Sequence, residues 1–301
     1  MKKSRQEKIL IILGPTASGK SALAVELAKK FNGEVISADS RQVYKGLDIG
    51  SGKITKKEML GVPHHLLDVE NPKKIYSVAR WQKDAKEKIE EIISRGKLPI
   101  ICGGTGFYIE SITKNTVFPE VPVNKKLREK LKNKTAPELF SILQKLDKGR
   151  AEEIDKNNPV RLIRAIEIAK KLGSVPNFKT QKPKYEILNI GLKPEDKTLR
   201  EKIINRLNQR MKIGMVQEVK KLHTGGLSWK RMNELGLEYR YLTLLLQNKI
   251  TKKEMLEKLE IEIWQFSRRQ MTWFRRDKEI NWFKSGNTTE INKLVNNFLT
   301  R

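Results

Sequence analysis

The sequence predicts an α/β protein, a parallel sheet core carrying a mainly helical insertion, and three observations carry that prediction. An apolar run, Ile9-Leu10-Ile11-Ile12-Leu13, feeds Gly14-Pro15-Thr16-Ala17-Ser18-Gly19-Lys20-Ser21, which fits G-x-x-x-x-G-K-[ST], and the helix-forming run Ala22 to Ala28 follows. Further apolar strands alternate with helical segments, the pattern of a parallel sheet covered by helices. From about Val121 to Tyr185 helical segments with basic faces replace that alternation, and no strand is evident there. The predicted organisation is a P-loop NTPase-like core in two parts, 1–120 and 186–301, the second with C-terminal helices, interrupted by an insertion at 121–185.

Each element has a local reason. Gly14 and Gly19 let the chain curl so that successive N–H groups face an anion, and the helix behind them adds the positive end of its dipole. In such a phosphate-binding loop Lys20 supplies a point charge to outer phosphates and Ser21 a hydroxyl for Mg²⁺. The phosphorylated ligand itself stays open on these residues. Glu34-Val35-Ile36-Ser37-Ala38 is the second strand and delivers Asp39 to the carboxyl edge of the sheet, beside the phosphate loop. Asp39 reads as a base or hydrogen-bond acceptor for a nucleophile, or else as an outer ligand of Mg²⁺ or a strand-end cap.

A helical pattern from Ser77 to Arg95 stops at Gly96, and Leu98 to Cys102 is a third buried strand ending at Gly103-Gly104-Thr105-Gly106. Gly103 stands where many ATPases carry an acidic residue, which argues against a motor or hydrolase. In the insertion, Thr135 with Glu138 predicts a capping box, and Asn158 before Pro159 starts a helix that closes at Gly173. Pro176 to Pro183 reads as a return linker to a short strand, Ile187 to Leu192. One long helix is expected over Leu199 to Leu222 and another around Ile261 to Phe274. In the latter, Trp264, Met271 and Phe274 form an apolar stripe, read as core packing, beside a ridge of Arg268, Arg269, Arg275 and Arg276, which suits phosphates or a solvated face equally. His64 and His65 lack an i, i+4 partner for a metal and are read as structural.

Charge narrows the partners. The chain of 301 residues has 62 Lys and Arg against 35 Asp and Glu, a formal net charge of +27. A field of that size suits a polyanion, nucleic acid first. Residues 121–185 alone hold 17 basic and 7 acidic residues. A single cysteine, Cys102, excludes an internal disulfide framework and a Cys-based zinc site and favours a reducing cytoplasm. The Met1-Lys2-Lys3 start is not that of a signal peptide, because the apolar run behind it is short and enters the phosphate loop. No stretch approaches the length of a membrane span.

Several blocks resemble, in order along nearly the whole chain, the bacterial tRNA dimethylallyltransferases. They are the phosphate loop, Asp39-Ser40-Arg41-Gln42-Val43-Tyr44-Lys45-Gly46-Leu47-Asp48-Ile49-Gly50, Pro63 to Asp68, Gly103-Gly104-Thr105, Asn158-Pro159-Val160-Arg161-Leu162-Ile163-Arg164-Ala165, and Arg269-Gln270-Met271-Thr272-Trp273-Phe274-Arg275. The phosphate loop is shared by thousands of proteins; the Asp39 to Gly50 block and the Arg-Gln-x-Thr-Trp element are particular to this family. The chain departs from the family pattern at Ser51-Gly52, where Thr-Ala is usual, at Ser21, where Thr is commoner, and in Leu235-Gly236-Leu237-Glu238-Tyr239-Arg240.

The resemblance implies transfer of a dimethylallyl group from its diphosphate to N6 of the adenosine on the 3′ side of a tRNA anticodon, with no ATP consumed. It implies Asp39, Thr105 and Arg206 as catalytic residues, Gly14 to Ser21 as the diphosphate cradle, and Mg²⁺ on Ser21. Contacts to tRNA would come from Asp39, Ser40, Arg41, Gln42, Thr105, Arg128, Val160, Arg161, Leu162, Ile163 and Arg164, with the insertion clamping the anticodon stem-loop. The expected partners are tRNA and dimethylallyl diphosphate, with no membrane, for a cytoplasmic monomer. A small-molecule kinase, an isopentenyltransferase acting on free nucleotides and a non-catalytic RNA-binding protein are the other classes open to a phosphate loop with this charge.

Overall fold

The computed structural model of the chain describes residues 6–176, 179–180 and 182–301. Residues 1–3 of the predicted non-cleaved start, and 177, 178 and 181 of the predicted return linker, lie outside the described residues. Two compact units result, Met1–Thr113 with Pro183–Arg301, and Lys114–Lys182.

The first unit is built on a six-stranded sheet in the order His64–His65, Gly33–Ala38, Leu98–Gly103, Lys8–Leu13, Glu186–Leu192, Ile280–Phe283, with every pairing parallel. Its central strands are apolar throughout because helices cover both faces. The period of two then sorts the first strand. Ile9, Ile11 and Leu13 join the core that holds Trp81, Ile89 and Ile92 of helix Val78–Ser94, while Leu10 and Ile12 join Leu27 and Val25 of helix Lys20–Lys30 and Val295 of helix Thr288–Thr300. From Lys8–Leu13 the next strands in sequence fall to one side and Glu186–Leu192 to the other. That switch point brings the strand ends at Gly14, Asp39 and Gly104 to one edge, where an α/β sheet binds ligands.

The predicted long helix is broken. Helix Asp196–Lys212 ends at Ile213, Gly214 takes φ 107°, and a second helix runs Met215–Thr224. Glycine at a left-handed position is the physical reason, and it swings Glu218 back toward the Asp48 to Gly50 loop. Its carboxylate accepts from the N–H groups of Asp48 (3.0 Å), Ile49 (2.6 Å) and Gly50 (3.0 Å) and from the Tyr239 hydroxyl (2.9 Å). The helix expected around Ile261 extends back to Lys252, where Thr251 and Glu254 form a capping box.

The second unit packs helices Lys125–Leu131, Ala136–Leu146, Lys148–Glu153 and Pro159–Leu172 around Leu139, Leu143, Leu162 and Ile166. The Thr135 capping box and the Asn158 cap are present. Contrary to the strandless reading of 121–185, Lys179–Thr180 pairs antiparallel with Thr116–Val117, which precedes that segment, in a ribbon too short to show any periodicity in sequence. Leu162, expected from the resemblance to contact tRNA, has its side chain fully buried in this core. Buried Glu167 accepts from Arg128 Nε (2.8 Å) and Nη2 (2.7 Å), from Arg164 (3.2 Å) and from the Asn124 N–H (2.9 Å). These bonds outweigh burial and hold its carboxyl below the ordinary value.

Glu34 is the corresponding fixture of the sheet. It accepts from His65 Nε2 (2.6 Å), Arg95 (2.7 Å) and Lys97 (2.8 Å), while His64 Nδ1 meets the Val62 carbonyl (2.9 Å). Burial raises the Glu34 pKa, but the bonds from Lys97 and His65 outweigh it and leave the carboxyl below its ordinary 4.5. A depressed folded-state pKa contributes stability above 4.5 that is lost as pH falls through the folded value. Glu34→Gln is therefore expected to lower unfolding free energy at neutral pH by about 1–3 kcal/mol, and to flatten the acid limb of stability against pH, both read by urea titration.

Candidate functional site

The loop after the first strand is shaped by its glycines. At Gly14, with φ 152°, a Cβ would fall 2.7 Å from the Leu192 carbonyl oxygen. Gly19 takes φ 90° and opens helix Lys20–Lys30 without a side-chain cap, so the first N–H groups of that helix stay available to an anion. Lys20 Nζ donates to the Pro15 carbonyl at 3.1 Å. Burial pulls its pKa down, Cys102 and Asp39 pull it back, and Arg206 adds to the fall. The Cys102 thiol, Sγ 3.6 Å from the Lys20 carbonyl, is pushed by burial up to about 11 and stays neutral.

Asp39 leaves the second strand into an Asx turn. Its Oδ1 accepts from the N–H groups of Arg41 (2.8 Å) and Gln42 (3.3 Å), whereas Oδ2 makes no hydrogen bond among the described residues. Thr105 fixes the same turn from the neighbouring strand: its N–H donates to the Ala38 carbonyl (3.1 Å) and its Oγ1 accepts from the Ser40 N–H (3.0 Å). Gly103 permits this approach, since a Cβ there would lie 2.2 Å from the Ala38 oxygen. The place of an acidic strand-end residue is sterically closed.

Sequence reading missed the strut behind this arrangement. Gln270, on helix Lys252–Phe274, accepts at Oε1 from the Thr16 N–H (2.9 Å) and donates from Nε2 to the Gly104 carbonyl (2.8 Å). Its only sequence signal is its place inside the Arg-Gln-x-Thr-Trp block; its burial and both its partners appear only in the fold. Glu218, Arg210 and Glu238 carried no signal of their own, because they act through contacts far apart in sequence.

Two cavities flank Asp39. One, of about 340 Å³, is lined by Lys20, Ser21, Asp39, Gln42 and Arg206; the other, of about 260 Å³, by Asp39, Arg41, Thr105, Phe266 and Arg269. They share Thr16, Lys20, Asp39 and Ser51. A third cavity, about 850 Å³, opens beside the first and shares Ser21, Gly52 and Arg206 with it. Arg206 has no hydrogen bond or ion pair among the described residues, and burial, with Arg210 beside it, brings its pKa down to about 10. Ser40 and Gln42 stand on the Asp39 turn. In the second unit Val160 is 76% exposed and Arg161 exposed, Ile163 is half-buried, and Arg128 and Arg164 are engaged with Glu167. No group of three or more metal-binding His, Cys, Asp or Glu residues occurs among the described residues. No helix among them is long and apolar enough to cross a membrane.

The IPP transferase family model matches residues 42–277. A relative from Trichlorobacter lovleyi named tRNA dimethylallyltransferase 2 is 43% identical over 276 residues, 92% of this chain and 90% of the relative. A tRNA isopentenylpyrophosphate transferase from Bacillus halodurans has a solved structure with TM-score 0.73 at 36% identity, covering 98% of this chain and 96% of that one. A eukaryotic dimethylallyltransferase solved acting on tRNA gives TM-score 0.84 at 25% identity, covering 98% of this chain and 80% of that one. With the phosphate loop, the Asp39 turn and the Gln270 strut in one sheet edge, the chain belongs to the family of tRNA dimethylallyltransferases, the IPP transferases.

Proposed function

We propose that this protein transfers a dimethylallyl group from dimethylallyl diphosphate to N6 of the adenosine on the 3′ side of the anticodon of tRNA, releasing diphosphate. The observation that carries the reading is Asp39, with one carboxylate oxygen locked by backbone N–H groups and the other free, on the wall shared by the phosphate-loop cavity and its neighbour.

The diphosphate takes the N–H groups of the loop from Gly14 to Ser21, with Lys20 and Arg206 as its cations. Both are held with too little counter-charge of their own, so charge growing on the leaving group is met by preformed dipoles and cations. The donor set fits Mg²⁺ as a substrate-borne ion: Ser21 offers a hydroxyl, and the remaining ligands would be phosphate oxygens and water. Such an ion supplies further neutralisation of the diphosphate. The target adenine leaves its stack to reach the second cavity, past Ser40, Arg41 and Gln42. Its exocyclic amine is a weak nucleophile because the lone pair is delocalised into the ring. As the N6–carbon bond forms and the carbon–oxygen bond breaks, the diphosphate leaves with the bonding pair and the N6 proton passes to Asp39 Oδ2. Thr105 keeps the turn in place and has its own hydroxyl proton left for the substrates. Basic residues of the insertion, with exposed Val160 and Arg161, supply affinity for the anticodon stem-loop.

Incubation with dimethylallyl diphosphate and bulk tRNA, followed by digestion to nucleosides and mass analysis, tests the reaction directly; absence of dimethylallyladenosine overturns it. Asp39→Asn is expected to keep tRNA affinity while lowering single-turnover rate by about 10²–10⁴-fold, the range for a lost general base. A rate within tenfold of the parent would remove Asp39 from that role. For Lys20→Ala and Arg206→Ala the drop in kcat is expected to exceed the drop in donor affinity, since their partner gains charge only as the bond breaks; a pure affinity defect would make them ground-state binders. Replacing 121–185 with a short Gly/Ser linker should leave donor binding intact and abolish the steep salt dependence of tRNA binding, measured by filter retention across a salt series. Equal stem-loop affinity for trimmed and intact chains would return the basic surplus to a solvated surface.

A further inference from the structure

Two departures from the family pattern, Gly52 and the 235–240 segment, meet at one side chain. A Cβ built on Gly52, φ +61°, would fall 1.7 Å from Nη2 of Arg210 and 3.0 Å from Nη2 of Arg206. Arg210 thus occupies the space that a side chain at position 52 would take. Its Nη1 donates to the Glu238 carboxylate at 3.1 Å and, more loosely, to the Gly50 carbonyl at 3.4 Å. The two side chains are only 13% and 12% exposed. Burial pushes the Glu238 carboxyl up and Arg210 draws it back down. Arg206, one turn earlier on the same helix, faces a different task. Both line the third cavity, but only Arg206 lines the phosphate-loop cavity, whereas Arg210 reaches the neighbouring one. Two guanidiniums converge on one point, and the Glu238 carboxylate bonds to only one of them.

We infer that Gly52, Arg210 and Glu238 form a positioning device for Arg206, in which Arg210 occupies Glu238 so that Arg206 stays unpaired and free for the diphosphate. The alternative pairing is near at hand, because the Glu238 charge already acts on Arg206. Without Arg210 the buried carboxyl would seek the next cation, and an Arg206 so captured would meet the donor only after breaking an ion pair. Gly52 is the steric condition, since any side chain there displaces the Arg210 guanidinium. Glu238 and Arg210 touch no diphosphate in this arrangement; they act through Arg206. The inference rests on the reading of the cavity as a diphosphate site.

The test is a mutant cycle read two ways on the full chain: calorimetric binding of inorganic diphosphate with Mg²⁺, and donor KM against kcat at saturating tRNA. Arg210→Met is expected to weaken diphosphate binding and raise donor KM by about tenfold, within the usual range of coupling between contacting charges. The double variant Arg210→Met with Glu238→Gln should recover most of that loss, since the carboxylate that Arg210 had occupied is no longer there to capture Arg206. Gly52→Ala should reproduce the Arg210→Met defect in the parent and add little to it in the Arg210→Met background. Arg210→Lys, which keeps the charge, should retain most of the affinity and serves if Arg210→Met fails to fold, with melting curves recorded for every variant. A double variant no better than Arg210→Met, or unchanged diphosphate affinity in folded Arg210→Met, overturns the proposal. Diphosphate binding is read without tRNA or turnover, so a parent chain that binds diphosphate but makes no dimethylallyladenosine would fail the proposed function and leave this cycle readable.

Discussion

The site depends on one side chain at its wall that binds two backbone groups. Gln270 ties the Thr16 N–H of the phosphate loop to the Gly104 carbonyl at the end of the neighbouring strand. From there the order passes along the backbone: Thr105 sits one residue on, bonds back to Ala38 and takes the Ser40 N–H, and Ser40 follows Asp39. An amide suits this position because it offers one donor and one acceptor to two backbone groups that cannot serve each other. A Cβ at Gly104 would lie 2.3 Å from Gln270 Nε2, so the glycine and the amide require each other. Truncating Gln270 would leave the buried Gly104 carbonyl and the half-buried Thr16 N–H without this partner and loosen the phosphate loop and the carboxylate turn together, which is why they behave as a unit.

Charge inside the cavity follows a different economy from charge on the surface. Most of the surplus behind +27 is solvated, and its field acts at long range, subject to salt. Lys20 and Arg206 are few, but burial has already lowered the pKa of each, so their positive charge is poorly compensated before any ligand arrives. An anion entering there gains more from each cation than it would at the surface. The surface excess therefore suits capture of a long polyanion, and the two enclosed cations suit a compact, doubly phosphorylated group.

The parts of this fold legible in sequence were those with a local cause. The central strands stood out as apolar runs, the phosphate loop by its glycine spacing, and the caps at Thr135 and Asn158 by residue type alone. Asp39 could be placed because strand ends in a parallel sheet share one edge. What stayed hidden is non-local or too short. The break at Gly214 was masked by helix-forming residues on either side, the Thr116–Val117 ribbon spans too few residues to alternate, and Leu162 lies in a block matched by family resemblance while its own burial is set by the helices packed on it. Glu218, Gln270, Arg210 and Glu238 each find their partners across long sequence separations, where spacing carries no message.

Glu218 also answers why the anion should choose one loop over another. The turn at Asp48 to Gly50 offers three convergent backbone N–H groups, the same kind of concave donor set as the phosphate loop. Those donors are already taken by the Glu218 carboxylate, whose second oxygen is held further by Tyr239. A phosphate could enter there only by displacing a bound carboxylate and would meet its negative charge. The phosphate loop carries no such internal anion, and Asp39, which lines its cavity, has Oδ1 turned to its own backbone N–H groups. The protein thus fills one nest with itself, which stiffens the block that carries Arg210's neighbour Gly52, and leaves the other for substrate.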